Sequence, residues 1–239
     1  MPDTQNFTQL YSRYYNVLYQ DKDYLGEVEY VEQFLNSKKN VLDIGCGTGK
    51  HLKIFQDKGY EILGIDMSNN QIEQAKNLLG ANANLQLAKA SEFSFNQKFD
   101  NIISLFHVMS YQTQNDELQK VFANVHKHLN IEGTFVFDFW HGAGVLSDLP
   151  TVRIKRLGEI IRLAEPVMRY EQNIVEVNYE IIMGNESIKE QHLMRYFFLP
   201  ELDIFATNAG LKLIAAYKWL TKEPLGTAWY GTAILRREK

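Results

Sequence analysis

The residues best placed to do chemistry fall in one short run, Asp43-Ile44-Gly45-Cys46-Gly47-Thr48-Gly49. Glycine at every second position removes the Cβ atoms that would keep a ligand off the backbone, and it makes φ > 0 accessible. The run passes into Lys50-His51-Leu52, where helical spacing begins. The N–H groups of that first helical turn therefore point back at whatever the loop holds. The spacing differs from the dinucleotide fingerprint, whose third glycine would stand where this chain has Lys50. About 20 residues on, where that logic puts a ribose-binding acid, Ile62-Leu63-Gly64-Ile65 ends in Asp66. A carboxylate at a strand tip offers paired acceptors to a nucleoside diol. Cys46 is the single cysteine and has no internal disulfide partner. It reads as a small packed side chain, with a reactive thiol as the competing use.

Further candidates sit past other apolar runs. His107, Met109, Ser110 and Tyr111 follow Phe99-Asp100-Asn101-Ile102-Ile103-Ser104-Leu105-Phe106, and Trp140-His141 end the run that begins at Thr134. Open α/β sheets bind ligands just beyond the carboxyl ends of their strands. His107, Tyr111 and His141 are accordingly candidates to orient or deprotonate an acceptor, with Trp140 as a wall; packing is the alternative for each. Between Thr151 and Arg169, Arg153, Lys155, Arg156, Arg162 and Arg169 stand against Glu159 and Glu165. That basic stretch is either a solvated strand face or a site for a phosphate-bearing acceptor, with Arg153 and Arg195 as substrate-binding candidates.

Short apolar strands at Val41–Ile44, Ile62–Asp66, Leu85–Ala88, Phe99–Phe106 and Thr134–His141 must carry these residues. Helical stripes alternate with them: Val28/Tyr30/Val31/Phe34/Leu35, Ile72/Ala75/Leu78/Leu79 and Leu118/Val121/Phe122/Val125/Leu129. Such alternation predicts a doubly wound α/β sheet. After Gly142 and Gly144, which let the chain leave the sheet, the period changes. Val175, Val177, Tyr179 and Ile181 alternate with Glu176, Asn178 and Glu180, as in a half-exposed antiparallel sheet. The predicted organisation is an N-terminal helical lid over 1–38, a sheet domain over 39–142 and 200–239, and an inserted antiparallel β subdomain over 143–199. Tyrosines at 11, 14, 15, 19, 24 and 30 crowd the lid. They either cover the sheet or hold a cation by cation–π attraction.

Together, Asp43–Gly49 and Gly64-Ile65-Asp66-Met67-Ser68 resemble the class I S-adenosylmethionine (SAM) dependent methyltransferases. The resemblance implies a Rossmann-like sheet of seven strands, the last antiparallel, with SAM as cofactor. It assigns Gly45, Cys46, Gly47, Thr48, Gly49, His51 and Asp66 to that cofactor. Met67 would lie on the adenine or pack in the core, and Ala90 and Ser91 would reach the adenine edge. Leu105 and Phe106 would lie at the fourth strand tip. Tyr15 and Tyr24 resemble the entry-segment tyrosines of small-molecule methyltransferases that contact the cofactor, and Tyr11 would face the acceptor. A closer resemblance is to bacterial N,N-dimethyltransferases of nucleotide-linked amino sugars, through the entry tyrosines, Gly47-Thr48-Gly49-Lys50-His51-Leu52 and Trp140. The chain departs from them in having Asp138-Phe139-Trp140-His141 for Glu-Pro-Trp-Trp and Tyr111 for a histidine, both on the acceptor side. The implied reaction is methyl transfer to N or O of a small molecule. The alternatives are a non-catalytic SAM-binding regulator and a nicotinamide-dependent dehydrogenase, which Lys50 disfavours.

A net charge of −4 argues against general nucleic-acid binding. No stretch approaches the roughly 20 apolar residues of a membrane span, and the start lacks the order of a signal peptide. A cytosolic location, no membrane partner, and a monomer or homodimer are expected. With no cysteine pair and no HxxxH cluster, a metal-independent reaction is expected.

Overall fold

The computed structural model describes residues 17–36 and 40–238; the candidates Tyr11 and Tyr15 lie outside them. The elements run α1 (Tyr24–Glu32), β1 (Asn40–Ile44), α2 (Lys50–Asp57), β2 (Glu61–Asp66), α3 (Asn69–Leu79), β3 (Leu85–Leu87), β4 (Phe99–Ser104), α4 (Asn115–His128) and β5 (Leu129–His141). There follow α5 (Gly142–Ser147), β6 (Arg153–Leu157), β7 (Ile160–Arg169), β8 (Ile174–Met183), β9 (Glu186–Phe197), α6 (Leu199–Asn208), β10 (Leu211–Lys218) and β11 (Tyr230–Arg237).

Strands β3-β2-β1-β4-β5 are parallel. β11 then runs antiparallel to β5, from Tyr230↔Trp140 to Arg236↔Thr134, and β10 pairs antiparallel with β11. This is the Rossmann-like sheet with a late antiparallel strand that the resemblance implies. The alternation of β5 divides the core. Phe135, Phe137 and Phe139 pack with Phe122 of α4 on one face, while Val136 joins Val31, Phe55 and Ile103 on the other. Every residue of β4 is buried, as a strand covered on both faces requires.

Where the glycines at 142 and 144 suggest only a departure from the sheet, the chain forms α5. A Cβ at Gly144 would lie 2.2 Å from the Ala228 carbonyl oxygen, so the glycine serves a close helix–loop approach. The inserted strands β6 to β9 form an antiparallel meander. Its last strand adds to the tip of β5 through Trp140↔Tyr196 and His141↔Phe197. The insertion is thus hydrogen-bonded into the main sheet at the edge where ligands bind.

Arg195 belongs to that junction and not to an acceptor. Its guanidinium, buried at 6% side-chain exposure, pairs with Glu201 at the start of α6, donates to Asn115 Oδ1 at 2.7 Å, and stacks on Phe197 and Phe205. The expected acceptor-binding role is corrected accordingly. Removing one partner of a buried pair strands the other, and Glu201 is partly exposed, so the cost is set at about 2 kcal/mol. Arg195→Leu should lower Tm by roughly 4–8 °C and leave acceptor KM unchanged in thermal-melt and kinetic assays. A raised KM with unchanged Tm would restore the original reading.

Candidate active site

β1 ends by exposing its backbone to the loop that follows. Gly45, Gly47 and Gly49 all adopt the left-handed region, with φ of 77°, 53° and 79°. At Gly45 a Cβ would meet Val108 Cγ1 at 2.5 Å, whereas at Gly47 it would meet nothing within 4 Å. Gly45 is therefore demanded by packing, and Gly47 keeps one side of the cavity open. The Asp66 carboxylate ties this loop to β2: Gly47 N donates to Oδ2 at 2.9 Å and Ser68 N to Oδ1 at 2.8 Å.

Beneath the loop lies Asp43, 1% exposed, with neither carboxylate oxygen partnered among the described residues. Burial, followed by the neighbouring charge of Asp66, pushes its pKa to about 8. Burial also raises Asp66, opposed by its N–H donors. Tyr24 presents a second orphan, a buried hydroxyl without a partner among the described residues. Its ring meets His51 edge-on at 5.0 Å, and the Lys50 ammonium lies 4.9 Å from its centroid. His51 is fixed in turn by the Glu27 carboxylate at 2.7 Å. Cys46 is buried, and burial drives its thiol well above the usual range, so it packs and does not attack.

A single cavity joins this half to a second, aromatic half. Phe106 and His107 occupy the left-handed region, with φ of 69° and 63°. That uncommon pair of non-glycine residues bends the chain away from the fourth strand tip. Asp138 of β5 holds the bend: the His107 backbone N–H donates to its two oxygens at 3.0 and 3.1 Å, and His107 Nδ1 lies 2.6 Å from Oδ2. Burial raises the Asp138 pKa, but the imidazole and N–H contacts outweigh it and hold the group below the usual carboxylate range. Tyr230 stacks on the His107 ring at 4.8 Å. Trp140 lines the opposite wall, its buried indole N–H unpartnered among the described residues.

The geometry collects most of the candidates. Tyr24, Gly45, Cys46, Gly47, Thr48 and His51 line the cavity, as do Asp66, Met67 and Ala90. Leu105, Phe106, His107, Tyr111 and Trp140 complete that set. Gly49 instead packs under the loop, where its Cβ would meet Ala75 at 3.1 Å. Ser91 turns away to donate to Glu117 Oε2 at 2.5 Å. His141 points to the other side of the sheet, its Nδ1 3.1 Å from the Ala228 carbonyl and its pKa lowered by burial. That removes it as a base, because successive residues of a strand face opposite ways and Trp140 faces the cavity.

The basic stretch is largely consumed inside the protein. Lys155 donates to the Leu18 carbonyl and to Asp21, Arg162 donates to the Tyr19 hydroxyl, and Arg169 pairs with Glu176. Arg153 hydrogen-bonds Tyr230, and it and Arg156 are exposed. Sequence reasoning missed His192 and Tyr179, which line the cavity from β9 and β8. The available signal was the stripe Glu190, His192, Met194 and Tyr196, at the two-residue period of one strand face.

Residues 41–133 match the family described as a methyltransferase domain. Over 202 residues the chain is 24% identical to dTDP-3-amino-3,4,6-trideoxy-alpha-D-glucopyranose N,N-dimethyltransferase of Streptomyces venezuelae, covering 80% of this chain and 85% of that one. It is likewise 24% identical to dTDP-4-amino-2,3,4,6-tetradeoxy-D-glucose N,N-dimethyltransferase of Saccharopolyspora spinosa, covering 80% of each. Among solved structures, a SAM-dependent methyltransferase of Clostridium acetobutylicum superposes with a TM-score of 0.83 at 19% identity, covering 98% of this chain and 99% of that one. Together these likenesses support a SAM-dependent methyltransferase that resembles the amino-sugar dimethyltransferases. Among the described residues, no helix is long and apolar enough to cross a membrane.

The residues present fit SAM. The open face at Gly47, the unpartnered oxygens of Asp43 and the orphan Tyr24 hydroxyl are all features that a cationic nucleoside would satisfy. A buried carboxyl with a pKa of about 8 stays protonated at pH 7. Its folded-state value lies above the usual aspartate value of 3.8, so the folded protein holds an extra proton between about pH 4 and 8, and stability declines as pH rises through that window. SAM binding at pH 7 should therefore release a proton from wild type, but not from Asp43→Asn, in calorimetry with buffers of different ionisation enthalpy. Proton-neutral binding in both proteins would contradict this assignment.

Proposed function

We propose that this enzyme methylates the amine of a small sugar-like acceptor. One observation carries the reading: the cavity runs without a break from the glycine loop to a chamber walled by Phe106, Trp140 and Tyr179, with polar groups at set points. Apolar walls with a few placed hydrogen-bonding groups suit a ligand that has both C–H faces and hydroxyls. The indole N–H of Trp140, unpartnered among the described residues, is a donor that a sugar oxygen would satisfy. The names of the relatives in Streptomyces venezuelae and Saccharopolyspora spinosa support an amino group as the receiving atom.

Bound SAM supplies an electrophilic methyl to the acceptor nitrogen, and the electrons of the broken C–S bond stay on sulfur. The protein supplies alignment. Gly45, Gly47 and Thr48 would hold the cofactor through the backbone, Asp66 would take its ribose, and Asp43 and Tyr24 would take its polar end. Ala90, Met67, Leu105 and Phe106 provide its apolar walls. On the other side, the imidazole of His107, locked by Asp138, orients the acceptor against Trp140. Such positioning is worth roughly 7–11 kcal/mol when reacting atoms are held at contact distance.

Arg153 is the one member of the expected basic site that stands exposed beside Tyr230 of the acceptor side. We assign it to a phosphate carried by the acceptor. Formation of S-adenosylhomocysteine should be seen with amino sugars in a panel of amines and alcohols, and more strongly with their nucleotide-linked forms. Arg153→Ala should raise KM for the nucleotide-linked form about tenfold, the value of one charge-assisted hydrogen bond, and leave KM for the free sugar unchanged. Turnover of alcohols alone would overturn the amine reading. An unchanged KM in Arg153→Ala would overturn only the phosphate.

A further inference from the structure

One buried amide in the cofactor half of the cavity has an unmet hydrogen-bonding need. Gln71, in the first turn of α3, is 2% exposed, and its Oε1 has no hydrogen-bond partner among the described residues. It lines the same cavity as Asp66 and Met67. Buried side-chain oxygens are nearly always paired, so an orphan of this kind calls for a cause.

The fold explains where the amide sits but not why an amide is there. Gln71, Ala75 and Leu79 recur every fourth residue and so share one face of α3. That face leans on the glycine loop: a Cβ at Gly49 would lie 3.1 Å from Ala75 Cβ and 3.1 Å from Leu79 Cδ1. Ala75 and Leu79 pack with Cys46, Leu52 and Ile72. Gln71 stands one turn nearer the start of the helix, where the stripe reaches the cavity. Packing there would be served equally by methionine or leucine. The helix start does not use the amide either, since Ser68 N donates to Asp66 Oδ1 at 2.8 Å and Ile72 N to the Ser68 carbonyl at 3.1 Å.

The chemistry of Asp66 supplies the cause. Each of its oxygens takes one backbone N–H, from Gly47 and from Ser68. An ionised carboxylate can accept further hydrogens but donates none. A ribose hydroxyl is donor and acceptor at once, so Asp66 satisfies its hydrogen and leaves its oxygen without a donor. A carboxamide carries both functions, and half a turn about its last bond exchanges Nε2 and Oε1. We infer that Gln71 completes the ribose subsite, its Nε2 donating to the oxygen of one hydroxyl of the diol whose hydrogens go to Asp66. Gln71 is thereby a specificity-determining residue. A deoxy ligand that lacks the contacted hydroxyl leaves the amide stranded, so the site distinguishes a ribonucleoside from that deoxy form.

This inference rests on SAM as the cofactor and on Asp66 as its ribose acid, and one set of titrations separates the three. Calorimetry gives the Kd of S-adenosylhomocysteine and of its 2′-deoxy and 3′-deoxy forms for wild type, Gln71→Met and Asp66→Ala. Gln71→Met should weaken the parent and one deoxy form about tenfold. It should bind the other deoxy form, the one lacking the contacted hydroxyl, within twofold of wild type. Its Tm without ligand should equal or exceed that of wild type, because an unpartnered buried amide gives the fold nothing. Equal losses for all three ligands, or no loss for the parent, overturn the inference and leave the cofactor in place. Parent affinity unchanged in Asp66→Ala overturns the shared diol. A wild type that binds none of the three refutes the SAM site, and the inference with it. Gln71→Leu repeats the comparison with a second apolar side chain; if neither variant folds, the amide is structural and the inference falls.

Discussion

Two buried carboxylates side by side, Asp43 and Asp66, set the terms for the rest of the structure. Desolvation penalises both, and the charge of Asp66 adds to the cost of ionising Asp43. Asp66 recovers part of that cost by accepting from Gly47 N and Ser68 N. That tie fixes the glycine loop against β2 and sets the start of α3. Asp43 has no such relief among the described residues, so an unsatisfied acid lies at the floor of the site. A cationic ligand is the natural partner for such a floor. The loop glycines follow from the same demand, since the backbone must bend over the acids and still leave room above them.

The acceptor half depends on a different constraint, the short parallel pairing of β9 with the tip of β5. It aligns the inserted meander with the carboxyl edge of the main sheet, so that Tyr179 and His192 face the same chamber as Trp140 and His107. Arg195 with Glu201, and Lys155 with Asp21 and the Leu18 carbonyl, fasten the insertion to α6 and to the segment before α1. Cations that could have met a ligand are thus used to hold the chamber closed on two sides. Asp138 plays the matching part within the main sheet, holding two left-handed residues where the chain turns off β4.

Much of this was legible from spacing alone. Gly45, Gly47, Asp43 and Asp66 announce themselves because a close backbone approach and a strand-tip acid leave few other residue choices. The parallel strands show as short apolar runs, and the insertion shows as alternation from Val175 to Ile181. The failures lie where tertiary pairing decides the outcome. His141 and Trp140 are neighbours in the chain, yet strand geometry sends only one into the cavity. Arg195 reads as a free cation until Glu201 and Asn115 are seen around it. His192 lacked any local motif, and its partner Tyr111 is 81 residues away. Ser91 was lost to Glu117, and α5 was missed because glycine pairs seldom start helices unless a close neighbour requires them.

The account stands or falls on the grip of the loop and its two acids upon one adenosyl sulfonium. The direct measurement is calorimetric titration of wild type, Asp66→Ala and Gly47→Val with SAM and, separately, with adenosine, after circular dichroism has shown each variant folded. The account predicts that both substitutions weaken SAM by at least about 30-fold, a loss of roughly 2 kcal/mol, and that Asp66→Ala also abolishes adenosine binding. SAM affinity equal to wild type in both folded variants would contradict it.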